Sequence, residues 1–269
     1  VPTRLKILED YFTYALFFNV CRSLFEKDKL LFSFTLCVAI LEGQAQMNME
    51  EYQFLLTGGV SLAPNTQRNP CKAWLADDRW DQICRLGDLP AFDGLNTGFA
   101  SQMADWKAIY DSAMPHEEKL PGQWDSKLSQ FQKILVLRCV RPDKCVPAVQ
   151  AFVGKEMGTK YVEFPPFDLK ECYNDSTCLA PLIFVLATGS DPFSALMKFA
   201  DEKGMGGDKL QAISLGQGQG PRAFQLINDA RKNGTWVVLQ NCHLAESFMP
   251  EYELLVETFT VDNCHSEFR

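Results

Sequence analysis

The stretch that most restricts the fold is Pro181-Leu-Ile-Phe-Val-Leu-Ala-Thr-Gly-Ser-Asp-Pro-Phe-Ser-Ala-Leu-Met-Lys-Phe-Ala200. Leu182 to Leu186 form a short apolar run rich in strand formers. Such a run reads as a buried strand of a parallel sheet. Thr188 to Asp191 then turn the chain. Pro192 suits the first position of a helix, with Ser190 or Asp191 as its N-cap. Phe193, Leu196, Met197 and Ala200 recur at helical spacing. Strand, turn and helix in this order are the architecture of a phosphate-binding loop, where backbone N–H groups and a helix N-terminus hold an anion.

The chemistry of such a loop is missing. A working P-loop reads G-x-x-x-x-G-K-[ST]. Counted from Gly189, the second glycine falls on Ser194, the lysine on Ala195 and the hydroxyl on Leu196. Nothing at these positions neutralises phosphate charge or holds magnesium. Asp191 places a carboxylate where phosphates would sit. It can bond the same N–H groups and satisfy the helix dipole, a term of roughly 0.3–1 kcal/mol. A second stretch fails in parallel. Trp236-Val-Val-Leu-Gln-Asn-Cys-His243 reads as another buried strand, ending in Gln240 and Asn241. The corresponding strand of a P-loop ATPase ends in an acidic residue that helps hold magnesium. Neutral amides supply neither that charge nor a base.

Composition narrows the class. The 269 residues are 46% hydrophobic, ample for a core in one large domain or two smaller ones. A net charge of −8 argues against a nucleic-acid backbone as partner. The ten cysteines contain no C-x-x-C pair and read as reduced, cytosolic and mostly buried. Cys242-His243 and Cys264-His265 do not have the usual spacing of zinc ligands, so no metal is expected. No secretory leader is recognisable. The apolar runs Tyr11 to Cys21 and Leu30 to Leu41 fall short of the roughly 18–20 residues that span a bilayer, so no membrane partner is expected.

Read in order, residues 1–57 are helical and apolar on several faces, with helices near 29–42 and 48–56 that stop at Gly43 and Gly58-Gly59. Residues 58–125 are irregular, punctuated by Pro64, Pro70, Pro90, Pro115 and Pro121. Short helices are expected there at 72–76, 80–86 and 95–112. Trp74, Trp80, Trp106 and Trp124 read as anchors that pin loops. From Ser126 the pattern is periodic: helices over about 128–140 and 146–157, a weak strand at 161–164, the strand at 182–186 and its helix. A strand at 210–215 follows, then Gly216-Gln217-Gly218-Gln219-Gly220 and a helix from Pro221 to Lys232. The third glycine of G-x-G-x-x-G would fall on Pro221, so the loop reads as a tight turn that meets a neighbouring module. The order of elements predicts an α/β, P-loop-like parallel sheet flanked by helices and preceded by an all-α segment. The expected division is 1–57 helical, 58–125 connector and 126–269 an incomplete degenerate sheet domain.

Several of these segments together resemble a dynein heavy chain. They are Asn19-Val-Cys-Arg-Ser-Leu-Phe-Glu-Lys27, Leu56-Thr-Gly-Gly59, Leu137-Arg-Cys-Val-Arg-Pro-Asp-Lys144, Pro181 to Val185 with Gly189-Ser-Asp-Pro192, Ser214 to Pro221, and Trp236 to Ala245. The resemblance covers essentially the whole chain and is closer to axonemal, inner-arm-type dyneins than to the cytoplasmic form. It implies the end of the fifth and the large part of the sixth AAA+ module of the motor ring. It further implies a non-hydrolysing module of an ATP-driven, minus-end-directed microtubule motor, one that passes conformational change around the ring. The family's catalytic residues do not carry over, because their positions hold Ala195, Leu196, Gln240 and Asn241. By the same resemblance, ATP and magnesium belong to other modules. The implied partners are neighbouring AAA+ modules, a microtubule reached through a coiled-coil stalk outside this sequence, and dynein light and intermediate chains. The implied location is the cytoskeleton of the cytoplasm, in the axoneme of a cilium or flagellum.

The competing readings are a divergent nucleotide hydrolase, which would need a cation nearer Gly189 than Lys198, and a dinucleotide binder built on Gly216–Gly220. The sheet implied by the resemblance has five strands, against three firm ones here. Phe268-Arg269 reads as the first step into another, so the chain is expected to be cut within a domain and poorly soluble alone.

Overall fold

The computed structural model describes residues 2–60, 65–164, 167–186, 189–216 and 218–269. Pro64, Pro165, Pro166, Thr188 and Gln217, on which readings above depend, lie outside the described residues. The chain divides into two compact units, residues 1–165 and 166–269.

The first unit is helical: α1 (Pro2–Arg22), α2 (Glu26–Gly43), α3 (Met49–Thr57), α4 (Asp77–Leu86), α5 (Leu95–Ser101), α6 (Met103–Asp111), α7 (Trp124–Lys127), α8 (Gln130–Val140) and α9 (Cys145–Glu156). Its central element is α8. Ser129 and Gln132 close a reciprocal capping box at its start. Phe131, Ile134, Leu135, Val136, Leu137, Cys139 and Val140 are all buried, so every side of α8 is apolar and covered. α3, α4 and α9 pack around it. The boundary expected at 126 is therefore displaced: α8 and α9 join the helical unit and not the sheet. A helix without a polar face needs neighbours on several sides, and other helices supply them. The change in pattern at Ser126 marks the start of regular structure inside one unit.

α3 shows how local chemistry sets these elements. Asn48 Oδ1 accepts the Glu50 and Glu51 N–H groups at its start. At its end Gly58 is left-handed, with φ 73°, and its N–H donates to the Phe54 carbonyl. A Cβ on Gly58 would lie 2.6 Å from the Arg138 guanidinium, whose own groups bond Leu55 O and Gln82 Oε1. The tryptophans act as anchors. Phe99 stacks on Trp106 at 4.4 Å, and Trp80 Nε1 donates to Gln67 O.

Three expectations in this unit fail. Residues 72–76 form turns, not a helix. The helix expected over 95–112 breaks at Gln102, where φ −122° and ψ 37° end α5 and start α6. The strand expected at 161–164 is absent; a 3-10 turn spans Thr159–Tyr161. Tyr161 is buried against Phe17 at 4.9 Å, and its carbonyl accepts from Ser33 Oγ at 2.7 Å. Burial of that ring fixes the segment without a ladder partner.

The second unit contains α10 (Leu169–Asp175), α11 (Phe193–Glu202), β1 (Leu210–Ser214), α12 (Gly220–Asn233), β2 (Trp236–Gln240) and α13 (Phe248–Glu257). β1 and β2 are parallel, with Leu210 opposite Trp236 and Ser214 opposite Gln240. α12 connects them and packs on β2. The second unit is thus a mixed helical fold around a parallel sheet of two strands among the described residues.

The third expected strand is not formed. Residues 182–186 lie outside any ladder, and Ile183 and Val185 are 81% and 69% exposed. Only Phe184 is partly covered, edge-on to Phe167 at 6.0 Å. A strand needs a neighbour with unpaired N–H and C=O groups. β1 and β2 pair with each other, and at β2's other edge the Val237 N–H donates to Arg269 O. Residues 182–186 pair with neither β1 nor β2, and the outer edge of β1 has no ladder partner among the described residues.

Candidate functional site

The candidate site lies in the second unit, at the carboxyl ends of β1 and β2 and at the start of α11. In open parallel sheets this end is where loops meet ligands. Two local structures define it.

The first is the turn into α11. Gly189 is left-handed, with φ 85°. Asp191 Oδ1 accepts the Phe193 N–H at 3.0 Å, and Oδ2 accepts from Ser194 Oγ at 3.3 Å. Pro192 occupies the N-cap position, one residue earlier than expected, and α11 starts at Phe193. The Asp191 carboxylate holds a first-turn N–H, the group a phosphate would contact in a working loop. Ala195 is exposed, Leu196 packs on the cluster of Phe199 and Trp236, and Lys198 is exposed past the first turn.

The second is the junction of the strand ends. The Leu215 N–H donates to the Gln240 carbonyl at 2.8 Å. Asn241 is left-handed, with φ 56° and ψ 39°, a conformation that asparagine tolerates better than most residues. Its Nδ2 donates to Ser214 Oγ at 2.9 Å. The amide that stands where an ATPase has a carboxylate thus ties the end of β2 to the end of β1.

The glycine loop leads from β1 into α12. Gly216 and Gly218 are exposed, with open space where a Cβ would lie. Gly218 has φ 77°. The Gln219 N–H donates to Gly216 O, which closes the turn. Gly220 starts α12, and a Cβ there would meet Phe248 Cδ2 at 3.2 Å. Gln217 lies outside the described residues.

The structure therefore brings Ser214, Leu215, Gln240 and Asn241 together. Among the described residues, no hydrogen bond or ion pair joins Gly189–Ser194 to Gln240 or Asn241. Sequence reasoning missed Ser214, the partner of Asn241; its place at the end of a strand facing the amide was the available signal. It also missed Arg222, an exposed cation in the first turn of α12, and Phe248, which sets the closeness at Gly220. The groups present are amides, a hydroxyl and a self-bonded carboxylate. They suit hydrogen bonding between elements, and they offer no cation or free carboxylate at the motif positions for a magnesium triphosphate.

The class of this second unit follows from the comparison with known families: residues 177–269 match the dynein heavy chain region D6 P-loop domain. Over its whole length the chain is homologous to a stretch of axonemal dynein heavy chains. It is 53% identical to human dynein axonemal heavy chain 12 over 99% of this chain and 9% of that relative. It is 52% identical to human dynein axonemal heavy chain 3 over 99% of this chain and 6% of that relative. It is 43% identical to the dynein-1-beta heavy chain of the flagellar inner arm I1 complex of Chlamydomonas reinhardtii, over 99% and 6%. The chain thus spans under a tenth of the length of these relatives.

Proposed function

We propose that this chain serves as a non-hydrolysing AAA+ ring module of an axonemal dynein, transmitting conformational change between its neighbours in an ATP-driven microtubule motor. The observation that carries the reading is the Asn241–Ser214 hydrogen bond. It uses the second of the two strand-ending positions that are acidic in an AAA+ ATPase, the one that polarises water, to join two strands. The Asp191 contacts support it, because they engage the N–H that an incoming phosphate would need. Homology to axonemal heavy chains supports the motor context and a place in the cytoskeleton of a cilium or flagellum. In this reading ATP and magnesium act at other modules. The loop at Gly216, Gly218, Gln219 and Gly220, exposed at Gly216 and Gly218, contacts an adjacent module, and other dynein subunits and the microtubule are reached through parts outside this sequence.

Calorimetric titration of the chain with Mg-ATP tests the proposal. The expected result is no saturable heat. A dissociation constant in the micromolar range would overturn it.

A further inference from the structure

α1 is apolar on two opposite sides, and its own unit covers one of them. At 3.6 residues per turn, Tyr14, Phe17 and Cys21 fall on one face. Phe17 and Cys21 are buried there, with Phe17 stacked on Phe32 and 4.9 Å from Tyr161. Leu5, Leu8, Phe12, Ala15 and Leu16 fall on the opposite face, in a stripe about 100° wide. Leu5, Leu8, Phe12 and Leu16 are 60%, 53%, 69% and 47% exposed. A row with these steps of three and four residues is the pattern a helix buries against a neighbour. It runs for about three turns, or roughly 17 Å. Single exposed apolar residues need no explanation, but an aligned row of four marks an interaction surface.

The borders of the stripe carry opposite charges. Arg4 lies along one side and Glu9 along the other, both exposed. Charges flanking an apolar seam choose the partner helix and its direction. The complementary helix has an apolar row of the same spacing, an acid facing Arg4 and a base facing Glu9. Two sources could supply it, a second copy of α1 or another part of the same molecule. The chain spans only 9% and 6% of its relatives' length, so most of a heavy chain is available to cover α1 from within. A segment of the same molecule acts at an effective concentration that a second molecule does not match. We propose that the outer face of α1 docks against another amphipathic helix of the same heavy chain, outside these 269 residues, with Leu5, Leu8, Phe12 and Leu16 as the buried row.

The test places the photo-crosslinking residue benzoylphenylalanine at Phe12 in the full heavy chain of the axonemal motor. Lys6, off the stripe and exposed, is the control position. The expected result is a crosslink from position 12 to a peptide of the same heavy chain outside this sequence, with apolar residues three and four apart. Position 6 should not reach that peptide. Phe12→Glu puts a charge into the row and leaves Phe17 and Cys21 in their own core. In the native motor it should speed tryptic cleavage after Lys6 about 10-fold or more, because cleavage follows the population of the undocked helix. Phe12→Leu, which keeps the row apolar, should be cleaved as the parent is. No crosslink from position 12, or unchanged cleavage of Phe12→Glu, would overturn the docking. A crosslink to α1 of a second copy, or to a subunit other than the heavy chain, would overturn the choice of occupant.

Discussion

In the proposed reading, Asn241 and Asp191 stand in for nucleotide contacts residue by residue. Each puts a side chain into a hydrogen bond within the fold at a position where an ATPase reserves it for ligand. One substitution does not reverse this. Ala195→Lys restores a cation but no magnesium ligand and no acid to orient water. Phosphate release by that variant is expected to equal the parent's, and release above it would count against the account. A second residue-scale test concerns the first unit. Glu51 is buried, and desolvation raises its pKa, opposed by a hydrogen bond from Gln132 Nε2 at 2.8 Å. A carboxyl whose pKa is higher folded than unfolded binds its proton more tightly in the folded state. Its contribution to stability is therefore fully present at low pH and lost as pH rises through the folded value. Glu51→Gln keeps the acceptor and removes the charge. The variant should gain in melting temperature over the parent as pH rises from about 4, the ordinary carboxyl value, through the raised folded value. A parent that gains on the variant as pH rises would contradict the assignment.

At the scale of elements, the helix ends were legible because their signals are local. Gly58 and Gly234 each set a boundary through a left-handed backbone angle within one turn, whereas the Ser129 capping box that opens α8 was not read. β1 and β2 were legible too, as short apolar runs joined by a helix. α10 was missed, although Asp168 accepts the Lys170 and Glu171 N–H groups at its start and is a recognisable cap. The failure at 182–186 is of another kind. An apolar run reports that a segment suits a strand, and it says nothing of whether an edge is available. The candidate residues were legible as chemistry, but the bond between Asn241 and Ser214 was not, because it depends on the register of two strands. The contrast yields a prediction. Ile213 is buried in β1, whereas Ile183 is exposed. Ile213→Ser should lower amide-exchange protection at 236–240 by about 2–4 kcal/mol, as for other core truncations. Ile183→Ser should stay within about 0.5 kcal/mol, as surface changes do. Equal loss from both would place 182–186 in the sheet.

At the scale of the molecule, the two units differ in how their cores are built. The first has one continuous cluster, from Phe17 to Tyr161. Among the described residues the second has three smaller clusters, around Phe199 and Trp236, around Leu215 and Phe248, and around Ile227 and Phe268, the last two joined through Leu239 and Tyr252. A continuous core unfolds as one cooperative block, while divided ones open piecemeal. On heating, amide exchange should spread through 166–269 before it reaches α8, and simultaneous loss would refute that order. The same division suits a module that moves with its neighbours without chemistry of its own. The most direct test of that claim is photolabelling with an azido analogue of ATP and magnesium, in the axonemal motor that carries this sequence, followed by mapping of the labelled peptides. The account predicts labelled peptides elsewhere in the motor and none from 181–245. Magnesium-dependent labelling at Gly189–Leu196 or Gln240–Asn241 would contradict it.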